Sequence, residues 1–268
     1  MQRTVRDMLG RAVTVTTSPV RIVSLVPSQT ELLYDLGLRE EVVGITKFCV
    51  HPEEWFRTKT RIGGTKQVHI DQVAALRPDL ILANKEENVQ EQIAALAAIA
   101  PVWVSDIKTL PDALQMMAAV SELCNRTAQG AALIANIKTG FDALQQQTAI
   151  QSATTAPLKV AYGIWRKPWM WAGGDTFISD LLQRVGWENA LQSLPRYPSL
   201  PLESLIDYAP DMVFLSSEPY PFKALHIEEI KAVLPTAKVL LVDGELFSWY
   251  GSRLLHSVPY IKSLILPA

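Results

Sequence analysis

Two stretches of this chain repeat one another, and the repetition limits the folds open to it. IDQVAALRPDLILAN at 70–84 aligns without a gap to LESLIDYAPDMVFLS at 202–216, an offset of 132 positions. Each copy reads as an acidic residue, an amphipathic helical stretch, Pro-Asp, and an apolar run of strand length. Pro78 and Pro210 end the helical pattern, because the residue before a proline is pushed away from the α region. A looser echo pairs TELLYDLG at 30–37 with TFISDLLQRVG at 176–186. A repeat of this size predicts two similar α/β lobes, one in each half of the chain.

Between the copies lies NRTAQGAALIANIKTGFDALQQQTA at 125–149. Leu133, Ile134, Ile137, Phe141 and Leu144 recur at steps of three and four, which places them on one helical face. Ala128, Ala131, Ala132 and Ala135 widen that face. Such a helix spans roughly 37 Å. Gly130 and Gly140 each cost it about 1 kcal/mol relative to alanine, so it relies on tertiary packing. The stretch reads as a strut. The resulting division is an N-terminal α/β lobe at 1–121, a long connecting helix at 122–153 and a C-terminal α/β lobe at 154–268.

Taken in order, residues 3–16 read as a hairpin turning at Gly10, and VRIVSLV at 20–26 as a buried strand. A helix runs from Pro27 to Gly37, with Ser28 as N-cap and Glu31 at capping-box spacing. Strands are expected at 42–45, 79–83 and 102–104, and helices at 70–77, 89–98 and 110–123. After a small linker at 154–157 the pattern resumes with strands at 159–164, 211–216 and 238–242. Helices are expected there at 176–186, 202–208 and 251–266. Strand–helix alternation throughout is the mark of parallel sheets.

Composition narrows the function. Hydrophobic residues at 49% against 19% charged allow a substantial core. A net charge of −2, with no basic stripe, argues against a nucleic-acid partner. No run approaches 18 consecutive apolar residues, so no membrane-spanning helix is expected. MQRTVRDMLGRAVTVTTSPVRIV has no apolar signal-peptide core, so the chain as written reads as cytoplasmic, and as periplasmic if its precursor is longer. Cys49 and Cys124 are too few and too far apart for a disulfide scaffold. Gly63-Gly64 and Gly173-Gly174 lack the spacing of a nucleotide loop, and no G-x-S-x-G, H-E-x-x-H or C-x-x-C motif occurs. No enzyme is expected, and function falls to a ligand held between the lobes.

RIVSLVPSQTELLYDLGL, then VVGIT, then IGGTKQVHIDQVAALRPDLILA, with the late DGELFSWYGSRLL, resembles the helical-backbone class of periplasmic substrate-binding proteins. Members of that superfamily serve ABC importers of cobalamin, iron–siderophore complexes and haem. The resemblance implies two Rossmann-like lobes joined by one long backbone helix, with the ligand in a shallow, rather rigid cleft. It implies a monomer without an intrinsic cofactor, whose ligand is a metal chelate and whose partner is an ABC permease dimer. Cobalamin binders carry tryptophans over the corrin ring at positions similar to Thr65 and Asn84 of this chain. The resemblance further implies that Asp71 and Glu203, equivalent by the internal repeat, meet arginines on the two permease subunits. The plainer reading of both is a helix-start acid favoured by the dipole.

Three clusters follow predicted strands and should line the cleft. KFCVHP at 47–52 is the first. TKQVH at 65–69 with NKEE at 84–87 is the second, and supplies Lys66, His69, Asn84 and Lys85. WRKPWMW at 165–171 is the third, with Tyr197, Trp249, Tyr250 and Arg253. Trp165, Trp169 and Trp171 are either a stacking platform or packing of the second lobe. Arg166, Lys167 and Arg253 suit an anionic ligand rim or are solvated surface charge; Arg253 alternatively pairs with Glu245. Cys49, His51 and His69 together offer a soft metal site, and with it the alternative of a cytosolic metal-binding protein or enzyme on the same fold. Cys124 reads as core.

Overall fold

The computed structural model of the chain describes residues 1–152 and 156–265. Strand β1 (Gln2–Arg6) pairs antiparallel with β2 (Ala12–Thr16). Asp7 shapes the turn between them, its Oδ1 accepting from the amides of Leu9 and Arg11. Then follow β3 (Ile22–Ser24), α1 (Pro27–Asp35), β4 (Val42–Ile45), α2 (Glu53–Thr58) and β5 (Thr60–Arg61). The first half continues with α3 (Ile70–Ala75), β6 (Leu80–Asn84), α4 (Gln90–Ala97), β7 (Val102–Ser105) and α5 (Leu110–Leu123). The long helix α6 runs unbroken from Thr127 to Ser152. Beyond it come β8 (Lys159–Trp165), β9 (Met170–Trp171), α7 (Phe177–Arg184) and β10 (Glu188–Asn189). A 3-10 turn (Leu202–Ser204) leads into α8 (Leu205–Tyr208), then β11 (Met212–Ser216), α9 (Ala224–Val233), β12 (Lys238–Val242), α10 (Glu245–Ser248) and α11 (Leu254–Ile265). No helix among the described residues is long and apolar enough to cross a membrane.

Two compact units form. One comprises Met1–Ile107, Pro111–Ala135 and Tyr250–Arg253; the other comprises Lys108–Leu110, Asn136–Trp249 and Leu254–Ala268. The first holds a parallel sheet of order β5-β4-β3-β6-β7. The second holds a parallel sheet of order β10-β8-β11-β12, with β9 antiparallel on β8. β6 and β11 are buried along their whole length, as parallel strands covered on both faces must be.

The sequence repeat has a structural counterpart. β6 lies beside β3 with Leu80 opposite Ile22, and β11 lies beside β8 with Met212 opposite Val160. The aspartate of each Pro-Asp pair binds the start of that neighbouring strand. Asp79 accepts from the amides of Val20 and Arg21 at 2.9 Å each, and Asp211 from the amide of Lys159 at 2.8 Å. The residue before each proline, Arg77 or Ala209, sits at a positive φ of 46° or 44°, the left-handed step that ends the helix.

Several expectations are corrected. Val26 occupies the N-cap position of α1 and Pro27 its first turn, while Ser28 makes no cap. Ser28 Oγ is buried without a hydrogen-bond partner. Glu31 instead takes both arms of Arg253, at 2.7 Å each, so the expected capping box is absent. Arg253 thus pairs with Glu31, and Tyr250–Arg253 belongs to the first unit although the sequence division places that segment in the C-terminal lobe. Positions 154 and 155 of the expected 154–157 linker lie outside the described residues, as does position 266. α2, α9, α10 and the short β5, β9 and β10 have no counterpart in the sequence reading, being brief or only weakly patterned.

The glycines of α6 have a packing cause. A Cβ on Gly130 would overlap Ser121 Oγ of α5, and one on Gly140 would lie 3.1 Å from Val258 of α11. Gly130→Ala gains helix propensity of about 1 kcal/mol but overpacks a contact at a cost of ~1–3 kcal/mol. We expect a net loss of stability in urea unfolding; a variant more stable than the parent would contradict this packing role.

Candidate ligand-binding site

In an open parallel sheet, ligands gather outside the carboxyl ends of the strands, where successive connections leave in opposite directions. In the first unit the order reverses between β3 and β6; in the second it reverses between β8 and β11. The loops leaving these four strands are therefore the places to look.

In the first unit the loop after β6 is built by asparagines. Asn84 Oδ1 accepts from the amides of Glu86 and Glu87 at 2.8 and 3.1 Å, while its Nδ2 donates to Ser105 Oγ at 3.1 Å. Asn88 Oδ1 accepts from the amide of Asn84, and its Nδ2 donates to the Thr65 carbonyl. Asn84 is 1% exposed. It shapes the loop from beneath and does not present itself to a ligand, contrary to expectation. Lys66 and Lys85 are exposed, but Lys66 Nζ donates to the Glu86 carbonyl and Lys85 Nζ pairs with Asp106, both at 2.5 Å. His69 is exposed with Nδ1 3.1 Å from Gln72 Oε1. Phe48, after β4, is half exposed, with Lys47 Nζ 5.1 Å from its ring centre. Tyr250 is buried and donates its hydroxyl to Glu87 Oε1 at 2.8 Å. Tyr250 and Arg253 thus tie the 250–253 segment into this unit and are not free rim groups.

The metal reading is not supported. Cys49 is fully buried, with Thr30 Oγ1 3.1 Å and Thr46 Oγ1 3.2 Å from its sulfur. Burial pushes its thiol up to about 11, against the opposing hydrogen bonds of Thr30 and Thr46, so the thiolate that would ligate is disfavoured. Among the described residues no three His, Cys, Asp or Glu side chains are grouped to hold a metal, and Cys49, His51 and His69 do not form the expected site. Cys124 is buried, as expected, and its thiol is raised to about 12 by desolvation.

The second unit carries an aromatic column. Trp171 stacks on Trp169 at 5.5 Å and 13°, and Trp169 stacks on Phe222 at 5.5 Å and 12°. Tyr220 packs edge-on against Phe222 at 4.8 Å and against Trp165 at 5.7 Å. Exposure differs among the three tryptophans. Trp171 is wholly buried and donates Nε1–H to the Leu200 carbonyl, Trp169 is half-buried, and Trp165 is 39% exposed. The tryptophans divide: Trp171 belongs to the core, and Trp165 is partly exposed. Tyr197 packs, half-buried, on the core of this unit. Arg166 lies 5.5 Å over the Trp169 ring and forms a 2.7 Å ion pair with Glu229, so its charge is already engaged and the expected anionic-ligand role is reduced.

His226 is oriented within the same cluster. The Lys223 amide donates to its Nδ1 at 2.8 Å, which leaves the proton of the neutral ring on Nε2, 3.2 Å from the Tyr220 hydroxyl. Glu218 follows β11 in the same loop. Its Oε1 accepts from Ser248 Oγ at 3.0 Å and from Trp249 Nε1 at 2.7 Å. Trp249 is buried and serves this carboxylate; it is not itself an open ligand face. Burial raises the Glu218 pKa, the Ser248 and Trp249 hydrogen bonds oppose the rise, and Glu245 and Asp243 add to it.

Glu218, Tyr220 and Phe222 were missed in the sequence. The offset of 132 places Glu218 on Glu86, within a loop already selected in the first half; carrying the repeat two residues past its apolar run would have found it. Asp71 and Glu203 are exposed in the first turn of α3 and in the 3-10 turn before α8. Neither side chain has a hydrogen bond or ion pair among the described residues.

Known proteins share this chain's sequence pattern and fold. The sequence profile of a family described as periplasmic binding protein matches residues 22–237. An ABC transporter substrate-binding lipoprotein of Bacillus subtilis is 26% identical, over 98% of this chain and 85% of the relative. A vitamin B12-binding protein of Pectobacterium atrosepticum is 25% identical, over 91% of this chain and 88% of its own length. The crystal structure of a periplasmic heme-binding protein from Pseudomonas aeruginosa superposes with a TM-score of 0.81 at 19% identity, covering 93% of this chain and 94% of that one.

Proposed function

This chain belongs to the periplasmic binding protein family, and on that premise we propose that it is the substrate-binding protein of an ABC importer, holding a metal chelate of corrinoid, haem or ferric-siderophore type. The observation that carries the reading to a site is Trp165, 39% exposed at the carboxyl end of β8 beside a switch point and joined through edge-on Tyr220 to the Trp171–Trp169–Phe222 column. A rigid aromatic side chain held by such packing gains contact area with a flat macrocycle at little entropic cost. The chain's own residues bind and orient; nothing in this reading requires them to make or break bonds.

Titration with cyanocobalamin, haemin and a ferric siderophore should quench tryptophan fluorescence with at least one of them, and colour should stay with the protein through gel filtration. Trp165→Ala should then weaken that affinity by more than about 1 kcal/mol, as loss of an aromatic anchor does. No retained chelate, or wild-type affinity in the variant, would refute the proposal at its first or second step respectively.

Asp71 and Glu203 support a second element of the proposal, docking to a permease dimer. Each is an exposed carboxylate without a described partner, and the two are related by the internal repeat, which suits a partner with two-fold symmetry. Reversing both charges, Asp71→Arg with Glu203→Arg, should abolish stimulation of the cognate importer while chelate affinity stays unchanged. Undiminished stimulation would remove them from the interface.

A further inference from the structure

We propose that Glu218 determines specificity: it accepts hydrogen bonds from N–H groups on the ligand and selects an amide-rimmed chelate over one rimmed by carboxylates. The inference rests on the chelate-binding reading above and adds a chemical class to it.

Both donors that reach the Glu218 side chain, Ser248 Oγ and Trp249 Nε1, go to the same oxygen, Oε1. Oε2 makes no hydrogen bond among the described residues and is not one of the buried unpartnered atoms. The carboxylate is thus gripped by one oxygen and presents the other. Its stem is fixed as well, since a Cβ on Gly244 would come within 2.7 Å of Glu218 Cγ. Gly244 follows β12 and Glu218 follows β11, so two adjacent strand ends hold the group in place.

An ionised carboxylate can only accept hydrogen bonds. Fixed in advance, it welcomes an N–H and repels another carboxylate, which is specificity through an unfavourable alternative. Glu245 and Asp243 add negative charge around it, and Arg166, the arginine of the β8 loop, is engaged by Glu229. Tyr220, two residues beyond Glu218, packs against Trp165. The flat face and the acceptor therefore belong to one loop cluster. A macrocycle lying on Trp165 can direct rim amides to Oε2. Corrinoids carry such amides around the ring; haem carries two carboxylates instead.

The test compares cyanocobalamin and haemin on the full chain by tryptophan quenching at mildly alkaline pH, in the parent, Glu218→Gln and Ser248→Ala. Glutamine keeps an acceptor for Ser248 and Trp249 but can put an NH2 where Oε2 stood. The parent should prefer cyanocobalamin. The cyanocobalamin-to-haemin affinity ratio should fall by about tenfold or more in Glu218→Gln, the loss of a charged hydrogen bond. Ser248→Ala, which removes the hydroxyl that lies between Glu218 Oε1 and the Gly244 carbonyl, should move the ratio in the same direction by less. Thermal melts establish that each variant is folded, and Ser248→Ala decides the matter if Glu218→Gln is not. A parent that prefers haemin, or a ratio unmoved within about twofold in the folded variants, overturns the inference while leaving chelate binding intact. A parent that takes up neither these two nor a ferric siderophore overturns both.

Discussion

One aspartate in each unit sets the sheet around it. Asp79 receives the amides at the start of β3, and Asp211 receives the amide at the start of β8. Each clamp fixes the register between a central strand and its parallel neighbour. In a sheet of period two, a one-residue slip would send every side chain of that neighbour to the opposite packed face, where it does not fit. With β6 and β11 buried from end to end, such a slip is prohibitive. The clamps therefore also determine where the carboxyl ends of β6 and β11 deliver their loops. Asn84 emerges from one, and Glu218 and Tyr220 from the other.

From those strand ends the two units take different courses. The loop after β6 satisfies itself: Asn84 and Asn88 consume its amides, and Lys66 folds back onto the Glu86 carbonyl. The loop after β11 leaves more on offer. It places Tyr220 and Phe222 against Trp165 and Trp169 and keeps one oxygen of Glu218 without a hydrogen bond. Buried support beneath an accessible group is the arrangement that holds a recognition surface in one geometry. In the proposed reading the second unit therefore carries the sharper recognition chemistry.

Much of the fold was legible because the cues were local. Pro78 and Pro210 end helices, the apolar runs at 80–84 and 212–216 form buried strands, and apolar spacing at threes and fours gives the long helix α6. The site was less legible because its decisive facts join residues distant in sequence. No spacing shows that Arg253 reaches Glu31 across 222 positions or that Trp249 donates to Glu218. The density of tryptophans at 165–171 was visible, but its division into a buried Trp171 and an exposed Trp165 depends on the strand pairing of β9 with β8. Composition could not separate Cys49 as a packed thiol from Cys49 as a ligand, since both readings use the same residue in the same loop. Threonines 30 and 46, which settle its surroundings, lie on separate elements.

The central claim is that ligand lands on the carboxyl-edge loops at the second unit's switch point. Hydrogen–deuterium exchange, with and without the chelate that quenches the tryptophans, tests it directly. The account predicts slowed exchange in peptides covering 165–169 and 217–223, with little change at the amino-edge turns covering 156–158 and 209–211. Unchanged exchange at 165–169 and 217–223, with protection confined to the amino edge, would contradict it.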